Sequence, residues 1–342
     1  MIAGGMSGSK TNGETTLVTG GAGFIGSHVA RQLAGRGDRV VLLDQRAPAG
    51  EAAWLLRPVA DRVTFAHGSV DQWPDVMSAA AAHRPRSIVH TAAIGNPAAV
   101  QHKALLALRV NVEGSINVLE AARLFGVRRV VLFSSIGALP GIRYQPVDAS
   151  HPVICNDEGP GSGFYGASKV AVEAFAYGHR QAFGTDFVVL RPSAVYGFGM
   201  QHPIFVKPMV EDAVHRRPTR FASGREFPRD YTHVEDVAQL TVRALDAPAV
   251  RVKDRIFYAA TGEPLRTAGE VADIVRRLIP LADIEIGPGL SDADRLEIRY
   301  RGVLSIQSAR EQLGYVPKYA RLEDGIANYI EWYKRYLSET AS

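Results

Sequence analysis

A tyrosine and a lysine four residues apart are the clearest candidates for chemistry in this sequence. Tyr165 and Lys169 lie in the segment YGASK, and on a helix their side chains would share one face. A free phenol has a pKa of about 10, so it is a poor base at neutral pH. A neighbouring ammonium group favours the phenolate and lowers that pKa. The pair could therefore take a proton from a hydroxyl group, although the same spacing is also common on exposed helices.

Two adjacent serines could take part in the same chemistry. Ser134 and Ser135 come directly after the apolar segment 130–133, which is typical of a buried strand. A hydroxyl group at the end of such a strand could bind a reacting oxygen and share its proton with Tyr165. These residue types together indicate proton transfer at a carbinol or carbonyl carbon.

A glycine-rich turn lies upstream of these residues. Gly20, Gly23 and Gly26 form the spacing G-x-x-G-x-x-G directly after the apolar segment 17–19. Glycines permit a tight turn and a close approach of the backbone to phosphate, and the next helix directs its N–H groups at the charge. The turn therefore predicts a pyrophosphate site, although such turns also occur without a cofactor.

The end of the second predicted strand indicates which dinucleotide binds. Asp44 lies there, where a carboxylate can accept hydrogen bonds from both ribose hydroxyls of NAD and would repel a 2′-phosphate. Arg46 is nearby and could in principle favour NADP. The acidic residue outweighs it, and we predict NAD as the cofactor.

Strands and helices alternate through the first part of the chain. This alternation predicts an α/β fold with a doubly wound parallel (Rossmann) sheet. The predicted strands are 17–19, 40–43, 63–65, 88–90, 130–133 and 187–190. The predicted helices are 24–34, 75–82, 99–125 and 164–183, and then 203–217, 235–245, 270–278 and 323–336.

The alternation becomes irregular after residue 196, which suggests a division of the chain. We expect residues 15–195 to form an NAD-binding Rossmann domain. Residues 196–342 should form mainly a smaller C-terminal α/β lobe that binds the substrate, with about 230–260 returning to the Rossmann domain. The Gly/Ser-rich residues 1–14 are predicted to be a disordered tail.

Composition excludes several classes of partner. The 342 residues include 39 basic and 35 acidic side chains without a Lys/Arg block, so neither nucleic acid nor a membrane surface is indicated. No apolar run reaches about 18 residues, the length of a membrane span. Cys155 is the only cysteine, which suits a reducing cytoplasm and favours a plain thiol over a nucleophile. The histidines at 202, 215 and 233 are not spaced as a metal site.

These segments together resemble the extended short-chain dehydrogenases/reductases of the NAD-dependent epimerase/dehydratase superfamily. The likeness runs from about residue 16 to about residue 336, nearly the whole chain. It rests on TGGAGFIG at 19–26, HTAA at 90–93, NVEGSINVLEAA at 111–122, VLFSS at 131–135, YGASK at 165–169 and RDYTHVEDVA at 229–238.

The resemblance implies roles for individual residues. Tyr165 would be the general acid/base, Lys169 its partner, and Ser135 rather than Ser134 the hydroxyl that binds the reacting oxygen. Ser69 stands where many relatives have an adenine-binding Asp, and Asn111 is expected as support beneath the cofactor. The residues implied to contact NAD are Gly20, Gly23, Phe24, Ile25, Gly26, Asp44, Ser69, Val70, Ala92, Ala93, Asn111, Tyr165, Lys169 and Pro192.

The residues directly after the two serines narrow the reaction type. Relatives that dehydrate or decarboxylate carry an extra Asp or Glu just after the catalytic hydroxyl, because elimination needs another acid/base group. Here Ile136, Gly137 and Ala138 cannot transfer a proton. An epimerase needs no such group, so the prediction is an NAD-dependent epimerase of a nucleotide sugar, most simply a UDP-sugar.

The sequence leaves alternatives open for the substrate contacts. By resemblance Arg229 would pair with a diphosphate, although a salt bridge to Asp230 or Glu235 is the plainer interpretation. Arg295 is a candidate second arginine. Relatives usually carry an Asn where this chain has Ala194, and Ser193 could substitute partly. The predicted substrate residues are therefore Ser135, Ser193, Arg229 and Arg295.

Two other functions stay open, and the missing Asn leaves room for the first of them. One is an NAD-dependent dehydrogenase of a small hydroxy acid, amino alcohol or free sugar, which would release NADH at each turnover. The other is a non-catalytic NAD-bound sensor, which would have no need of intact Ser135, Tyr165 and Lys169. The resemblance also implies a homodimer formed by the helices at 99–125 and 164–183, in the cytoplasm.

Overall fold

The computed structural model of this chain describes residues 13–154, 158–202 and 204–341. Cys155 and residues 1–12 of the predicted tail lie outside the described residues, so the expectations for that thiol and that tail stay predictions. The strands along the chain are β1 (Thr15–Thr19), β2 (Arg39–Asp44), β3 (Val63–His67), β4 (Ser87–His90), β5 (Arg129–Phe133), β6 (Phe187–Pro192), β7 (Ala194–Tyr196), β8 (Thr219–Phe221), β9 (Pro228–Arg229), β10 (Tyr231–His233), β11 (Ile256–Ala259), β12 (Arg266–Thr267) and β13 (Ile284–Ile286).

The helices lie between and after these strands. The longer helices are α1 (Phe24–Gly35), α3 (Trp73–His83), α6 (Gly114–Leu124), α7 (Gly163–Phe183), α8 (Val206–Val214), α9 (Val234–Asp246), α10 (Ala268–Leu278) and α12 (Leu322–Thr340). The shorter helices are α2 (Gly50–Leu56), α4 (Pro97–Val100), α5 (Ala104–Ala107) and α11 (Asp292–Glu297).

A seven-stranded parallel sheet forms the centre of the fold, in the order β3–β2–β1–β4–β5–β6–β11. Most of its strands are continuous apolar runs, as expected for strands covered on both faces. The chain runs from β1 first toward β3 and then toward β11, so its direction across the sheet reverses between β1 and β4. Ligands of such sheets bind outside the carboxyl ends of the strands at this point. The predicted doubly wound α/β fold is confirmed.

Helices cover both faces of the sheet. On one face α1 packs against α9, and Val29 and Leu240 are fully buried there. On the other face α6 packs against α3 and α7, and Val118 and Val172 are buried. Both layers position loops and helix ends at the carboxyl edge of the sheet, where the candidate chemistry lies.

A second core lies in the C-terminal part of the chain. It is built from α8, α10 and α12, with Met209, Val271 and Tyr329 fully buried in it. Between the two cores the chain returns to the large sheet, because β11 pairs with β6 and α9 packs on α1. The exact domain boundaries stay a prediction.

The predicted helix over residues 99–125 is wrong as a single element. α4 ends at Val100, α5 begins at Ala104, and a π-helical turn over Leu108–Glu113 joins α5 to α6. A π turn inserts one extra residue into the helix, which a pattern of period 3.6 cannot detect. The turn contains Asn111, one of the predicted cofactor residues.

In the described ranges, no helix has both the length and the apolar character that a membrane crossing requires. The same ranges contain no group of three or more His, Cys, Asp or Glu side chains arranged for a metal ion.

Candidate active site

The glycine turn lies between β1 and α1 at the point where the sheet order reverses. Gly20 has a φ of +68°, and a Cβ atom there would lie 2.6 Å from the backbone nitrogen of Ala92. A Cβ at Gly26 would collide with the carbonyl oxygen of Gly20. Glycine is therefore required at both positions for the turn to pack against the loop after β4.

The start of α1 is suited to an anion. Gly23 is its N-cap, and no side chain caps the helix or adds an acidic group in its first turn, which begins with Phe24 and Ile25. The N–H groups and the positive end of the helix dipole are therefore available to a phosphate. This donor set fits the pyrophosphate of a dinucleotide.

Asp44 is held beside the turn at the end of β2. Its carboxylate accepts hydrogen bonds from the backbone N–H of Ala22 at 3.1 Å and of Gln45 at 2.8 Å. These two bonds fix the carboxylate between the glycine turn and the loop after β2. The position fits the predicted contact with the ribose hydroxyls of NAD.

Ser69, on the neighbouring strand end, is already engaged by protein groups. Its hydroxyl donates to the Asp71 carboxylate and accepts from the Gln45 side chain at 2.7 Å. Val70 beside it is buried, and its carbonyl accepts from Asn117 at 2.8 Å. The cofactor contact of Ser69 stays a prediction, and Asp71 is a partner of the serine that the sequence did not indicate.

The loop after β4 is fastened by polar residues beneath it. Asn111 accepts from the backbone N–H of Ile94 at 2.8 Å and donates to Ser168 on α7 at 3.0 Å. Ala92 and Ala93, which the resemblance assigned to the cofactor, lie in this loop directly before Ile94. The predicted supporting role of Asn111 agrees with these contacts.

His90, at the end of β4, contacts residues of β1 and α6 below the same loop. Its Nδ1 lies 2.7 Å from the Thr19 hydroxyl and its Nε2 lies 2.8 Å from the Ser115 hydroxyl. Because Ser115 donates its proton to the Asn111 carbonyl, the imidazole carries its own proton on Nε2. Burial, with the charge of Lys169 as a second cause, lowers the pKa of His90 to about 3. This neutral histidine was quoted in the motif but received no role from sequence.

Ser135, Tyr165 and Lys169 are brought together at the carboxyl end of β5. The Ser135 hydroxyl lies close enough to the Tyr165 phenol to oppose the rise that burial causes in the pKa of that phenol. Lys169 is buried, donates to the Phe133 carbonyl at 2.8 Å, and has its Nζ 5.7 Å from the centre of the Tyr165 ring. The three groups that proton transfer needs therefore lie within one small volume.

The structure also distinguishes the two serines. Ser134 is buried and its hydroxyl donates to Glu173 at 2.6 Å, inside the protein. Ser135 instead accepts from the backbone N–H of Gly137 at 3.0 Å and contacts Tyr165. Since neighbouring residues of an extended segment point to opposite sides, only Ser135 faces the candidate site.

The electrostatics of the pair differ from the sequence-based expectation. Burial raises the pKa of the Tyr165 phenol, the hydrogen bond to Ser135 opposes this, and Tyr300 adds to it. Burial lowers the pKa of Lys169 to about 8, against the charge of Glu173. The protein groups alone therefore favour the neutral phenol, because the loss of water on burial outweighs the opposing effect of Ser135 on the pKa.

A buried ion pair joins α7, the helix that carries Tyr165 and Lys169, to the central sheet. Glu173 lies four residues after Lys169 on α7 and pairs with Arg191 on β6, with an N–O distance of 2.7 Å. Arg191 is 1% exposed and also donates to the Tyr258 hydroxyl at 3.1 Å. Sequence reasoning missed this pair, although a charged residue on the apolar face of a predicted helix could have indicated it.

The segment after Ser135 leaves no room for another acid/base group. Ile136–Ala138 forms a buried 3₁₀ turn. A Cβ at Gly137 would lie 2.7 Å from the Ser162 hydroxyl and 3.3 Å from the Tyr165 ring. Ser162 donates to the Tyr300 hydroxyl at 3.1 Å, so these two residues, which the sequence did not indicate, fill the space beside the phenol.

On the substrate side, Arg229 is buried on β9 and pairs with Glu297, with an N–O distance of 3.1 Å. The two acidic residues named as alternative partners are engaged elsewhere. Asp230 accepts from Thr232 and Thr261. Glu235 accepts from His28 and Gln32. Arg229 is thus not paired as the plainer interpretation suggested.

The second predicted arginine, Arg295, lies on the exposed side of α11. Arg295 is 63% exposed and lies 3.5 Å from Asp292 on its own helix. Arg301, which the sequence did not single out, shares the Glu297 carboxylate with Arg229. The role of Arg295 stays a prediction, and Arg301 is the arginine that meets Arg229.

Two more predicted residues lie between the halves of the site. Pro192 ends β6 and is buried. Ser193 comes next, and its hydroxyl is buried without a hydrogen-bond partner among the described residues. A buried hydroxyl in this state is suited to a ligand contact.

The fold and the site are those of a Rossmann-fold dinucleotide enzyme, with a Ser–Tyr–Lys group suited to proton transfer. The model of the NAD dependent epimerase/dehydratase family matches residues 16–260, and the chain belongs to this family. This confirms the predicted family and its NAD dependence.

Individual relatives are similar over nearly their full length. The UDP-glucose 4-epimerase of Mycolicibacterium smegmatis is 32% identical, over 93% of this chain and 98% of that protein. The UDP-glucose 4-epimerase of Lacticaseibacillus casei is 27% identical, over 94% of this chain and 97% of that protein. A crystal structure of the Thermus thermophilus UDP-glucose 4-epimerase in complex with NAD superposes with a TM-score of 0.78 at 29% identity, covering 94% of this chain and 99% of that one.

Proposed function

We propose that this protein is an NAD-dependent epimerase of a nucleotide sugar, with a UDP-sugar as its substrate. The observation that carries the proposal is the meeting of Ser135, Tyr165 and Lys169 at the carboxyl end of β5, in a chain without a further acid/base group after Ser135. The relatives named UDP-glucose 4-epimerase support the choice of substrate.

The protein groups would handle the proton while the cofactor handles the hydride. As the phenolate, which the charge of Lys169 and the positive nicotinamide ring of bound NAD would favour, Tyr165 would take the proton of the ring hydroxyl and later return it. Ser135 would bind the same oxygen. Lys169 supplies positive charge beside the phenol and is tied to the Phe133 carbonyl. When bound, NAD supplies a hydride acceptor that can also return the hydride, which fits an epimerisation without net oxidation.

Dehydration and decarboxylation are disfavoured on steric grounds as well as by residue type. A Cβ at Gly137 would lie 2.7 Å from the Ser162 hydroxyl and 3.3 Å from the Tyr165 ring, so an acidic side chain there would require both residues to move. Ile136 and Ala138 beside it are apolar and buried. No carboxyl group of this segment can therefore reach the substrate.

The substrate would extend from the catalytic triad to the arginine pair. Arg229 and Arg301 are buried on the C-terminal side of the site, and guanidinium groups match the geometry of phosphate oxygens. Ser193 lies between these arginines and the cofactor loop in the chain order and offers an unpaired hydroxyl. Arg295 stays a candidate for a more peripheral contact.

The test is turnover of UDP-galactose and UDP-glucose with absorbance of NADH followed at the same time. We expect interconversion of the two sugars without accumulation of NADH, and a loss of about 10²–10⁴-fold for Tyr165→Phe, the usual contribution of a positioned acid/base group. Tyr177→Phe, on the outer side of the same helix, is the matched control. NADH released in proportion to a small alcohol, with both UDP-sugars unchanged, would establish the dehydrogenase instead.

We also propose that the protein is a homodimer. The outer face of α7 exposes Phe164, Phe175 and Phe183, and α6 ends with exposed Leu124. Aromatic and aliphatic side chains that share one face of two packed helices are typical of a subunit interface. Light scattering should give twice the chain mass for the wild type and the chain mass for Phe175→Asp, and a wild-type monomer would contradict the proposal. The cytoplasmic location stays a prediction.

A further inference from the structure

The buried arginine pair of the substrate side contains a carboxylate of its own. Glu297 accepts a hydrogen bond from Arg229 at 3.1 Å and another from Arg301. The side chains of Arg229 and Arg301 are only 8% and 10% exposed. Their guanidinium groups are also held by aromatic rings, Arg229 lying 4.4 Å from the centre of the Phe227 ring. Glu297 therefore occupies a preformed anion position between two fixed cations.

This pairing leaves several donors unused. Arg229 Nε, Arg301 Nε and Arg301 Nη1 are buried and have no hydrogen-bond partner in the described part of the chain. Buried donors of this kind are rare in folded proteins. Two guanidinium groups also carry one more charge than the single Glu297 carboxylate neutralises. The site is therefore built for an anion with more charge and more acceptor oxygens than one carboxylate offers.

Asp230, the other carboxylate that interacts with Arg301, is hydrogen-bonded elsewhere. Asp230 is buried and its carboxylate is bound by Thr232 and Thr261, and burial raises its pKa while Arg301 acts in the opposite direction. Burial and then Arg229 lower the pKa of His202, so it stays neutral. Glu297 is thus the acidic group that competes directly with a ligand.

We propose that Glu297 is a specificity-determining residue. Its carboxylate competes with a ligand for Arg229 and Arg301, and a diphosphate can displace it whereas a single carboxylate cannot. This inference rests on the proposed function, because it takes Arg229 and Arg301 to be the diphosphate site. A ligand carboxylate would only replace one carboxylate by another and gain no charge. A diphosphate brings two charges and several acceptors, so it can pair the unused donors as well.

The position of Glu297 allows its side chain to move away from the two arginines. It is the last residue of the six-residue helix α11, and its side chain is 26% exposed, unlike the two arginines. It can therefore turn to solvent without leaving a buried, unpaired carboxylate behind. The apparent dissociation constant of the diphosphate equals the intrinsic constant divided by the fraction of molecules in which the arginines are free. If Glu297 pairs with the arginines in about nine tenths of the molecules, diphosphate binding is weakened about tenfold.

The experiment is calorimetric titration of UDP into the purified full-length protein and its variants. Glu297→Gln keeps the size of the side chain and removes its charge, and we expect it to bind UDP about tenfold more tightly than the wild type. Glu297→Ala should tighten binding in the same direction, which covers the case that the Gln variant folds poorly. Asp292→Asn removes one charge from the exposed side of the same helix and should leave the dissociation constant unchanged.

The outcomes separate the two proposals. UDP binding of equal or lower strength in both Glu297 variants would overturn the competitor role and leave the UDP site intact. Absence of UDP binding to every protein, all with a wild-type melting transition, would overturn the nucleotide-sugar proposal and this inference with it. Tighter binding in the variants, together with an unchanged Asp292→Asn, is the result that supports the inference.

Discussion

Two buried clusters of glutamate and arginine lie on either side of the candidate active site, and they differ in how completely they are paired. Beneath the catalytic helix, Glu173 accepts from Ser134 and from two nitrogens of Arg191 at 2.6–2.8 Å. Arg191 also donates to Tyr258. On the substrate side, Glu297 shares two arginines that leave three buried donors without a partner among the described residues.

This difference in pairing indicates which cluster is structural and which is available to a ligand. A buried ion pair whose hydrogen bonds are all made fixes one geometry, since breaking it leaves an uncompensated charge. A cluster with unused donors has capacity for a further anion. The first cluster therefore positions Lys169 and Ser134, and the second is the candidate binding site.

The largest effect should come from breaking the fully paired cluster. Glu173→Gln leaves the Arg191 guanidinium buried without its counter-charge, which costs about 3–5 kcal/mol of unfolding free energy in comparable pairs. Urea denaturation followed by circular dichroism measures this change. Asp283→Asn, which breaks the exposed pair with Arg220, is the control and should leave the midpoint close to wild type. A Glu173→Gln variant as stable as that control would mean that the cluster is not structural.

Removing an arginine from the partly paired cluster should cost binding rather than stability. Arg229→Met loses hydrogen bonds to a charged ligand, each worth about 1.5–3 kcal/mol, so UDP should bind about 10–100-fold more weakly. Glu297 would keep Arg301 as its partner, so the melting temperature should fall much less than for Glu173→Gln. Calorimetry and thermal melting of the same sample test both statements. Unchanged UDP affinity would remove Arg229 from the substrate site.

The close packing beside the Tyr165 phenol should also affect the rate of catalysis. Gly137→Ala places a Cβ 2.7 Å from the Ser162 hydroxyl and 3.3 Å from Tyr165. A small displacement of a catalytic group lowers its rate, and we expect kcat to fall about tenfold. Gly35→Ala, where a Cβ would meet open space at the end of α1, should keep full activity. Equal activities would show that the phenol tolerates movement.

The smallest effect concerns pH and the Glu297 carboxylate. Burial raises its pKa, but Arg301 and Arg229 outweigh this and hold the pKa below the ordinary value of 4.5. Its folded pKa is therefore depressed, so its stabilisation is fully present above pH 4.5 and is lost as the pH falls through the folded pKa. The difference in unfolding free energy between wild type and Glu297→Gln should be smaller near pH 7 than that for Glu173→Gln, because Glu297 is partly exposed, and it should vanish in acid. A difference that grows as the pH falls would contradict this assignment.

Much of the fold and the catalytic end of the site could be predicted, because their signals are local. The continuous apolar strands and the helices between them indicated the parallel sheet, and α7 was predicted to within one residue at its start. The prediction of one helix over 99–125 was wrong, because a break after α4 and a π turn interrupt a segment whose apolar residues recur at helical spacing. The choice of Ser135 over Ser134 came from resemblance, and the side each hydroxyl faces became visible only with Glu173 in place.

By itself, the sequence determined the glycine turn, the Tyr165–Lys169 face and the acidic end of β2, since each depends on residues a few positions apart. Only the tertiary structure decided how the substrate arginines are arranged. Arg229 and Glu297 are 68 residues apart and no spacing rule links them. Arg301 rather than Arg295 meets them. α11 ends at Glu297 and the 3₁₀ turn Ile298–Tyr300 follows, after which the side chain of Arg301 is buried, whereas Arg295 on α11 is exposed. Local patterns describe what one element can do, whereas pairing between distant charges depends on how the elements pack.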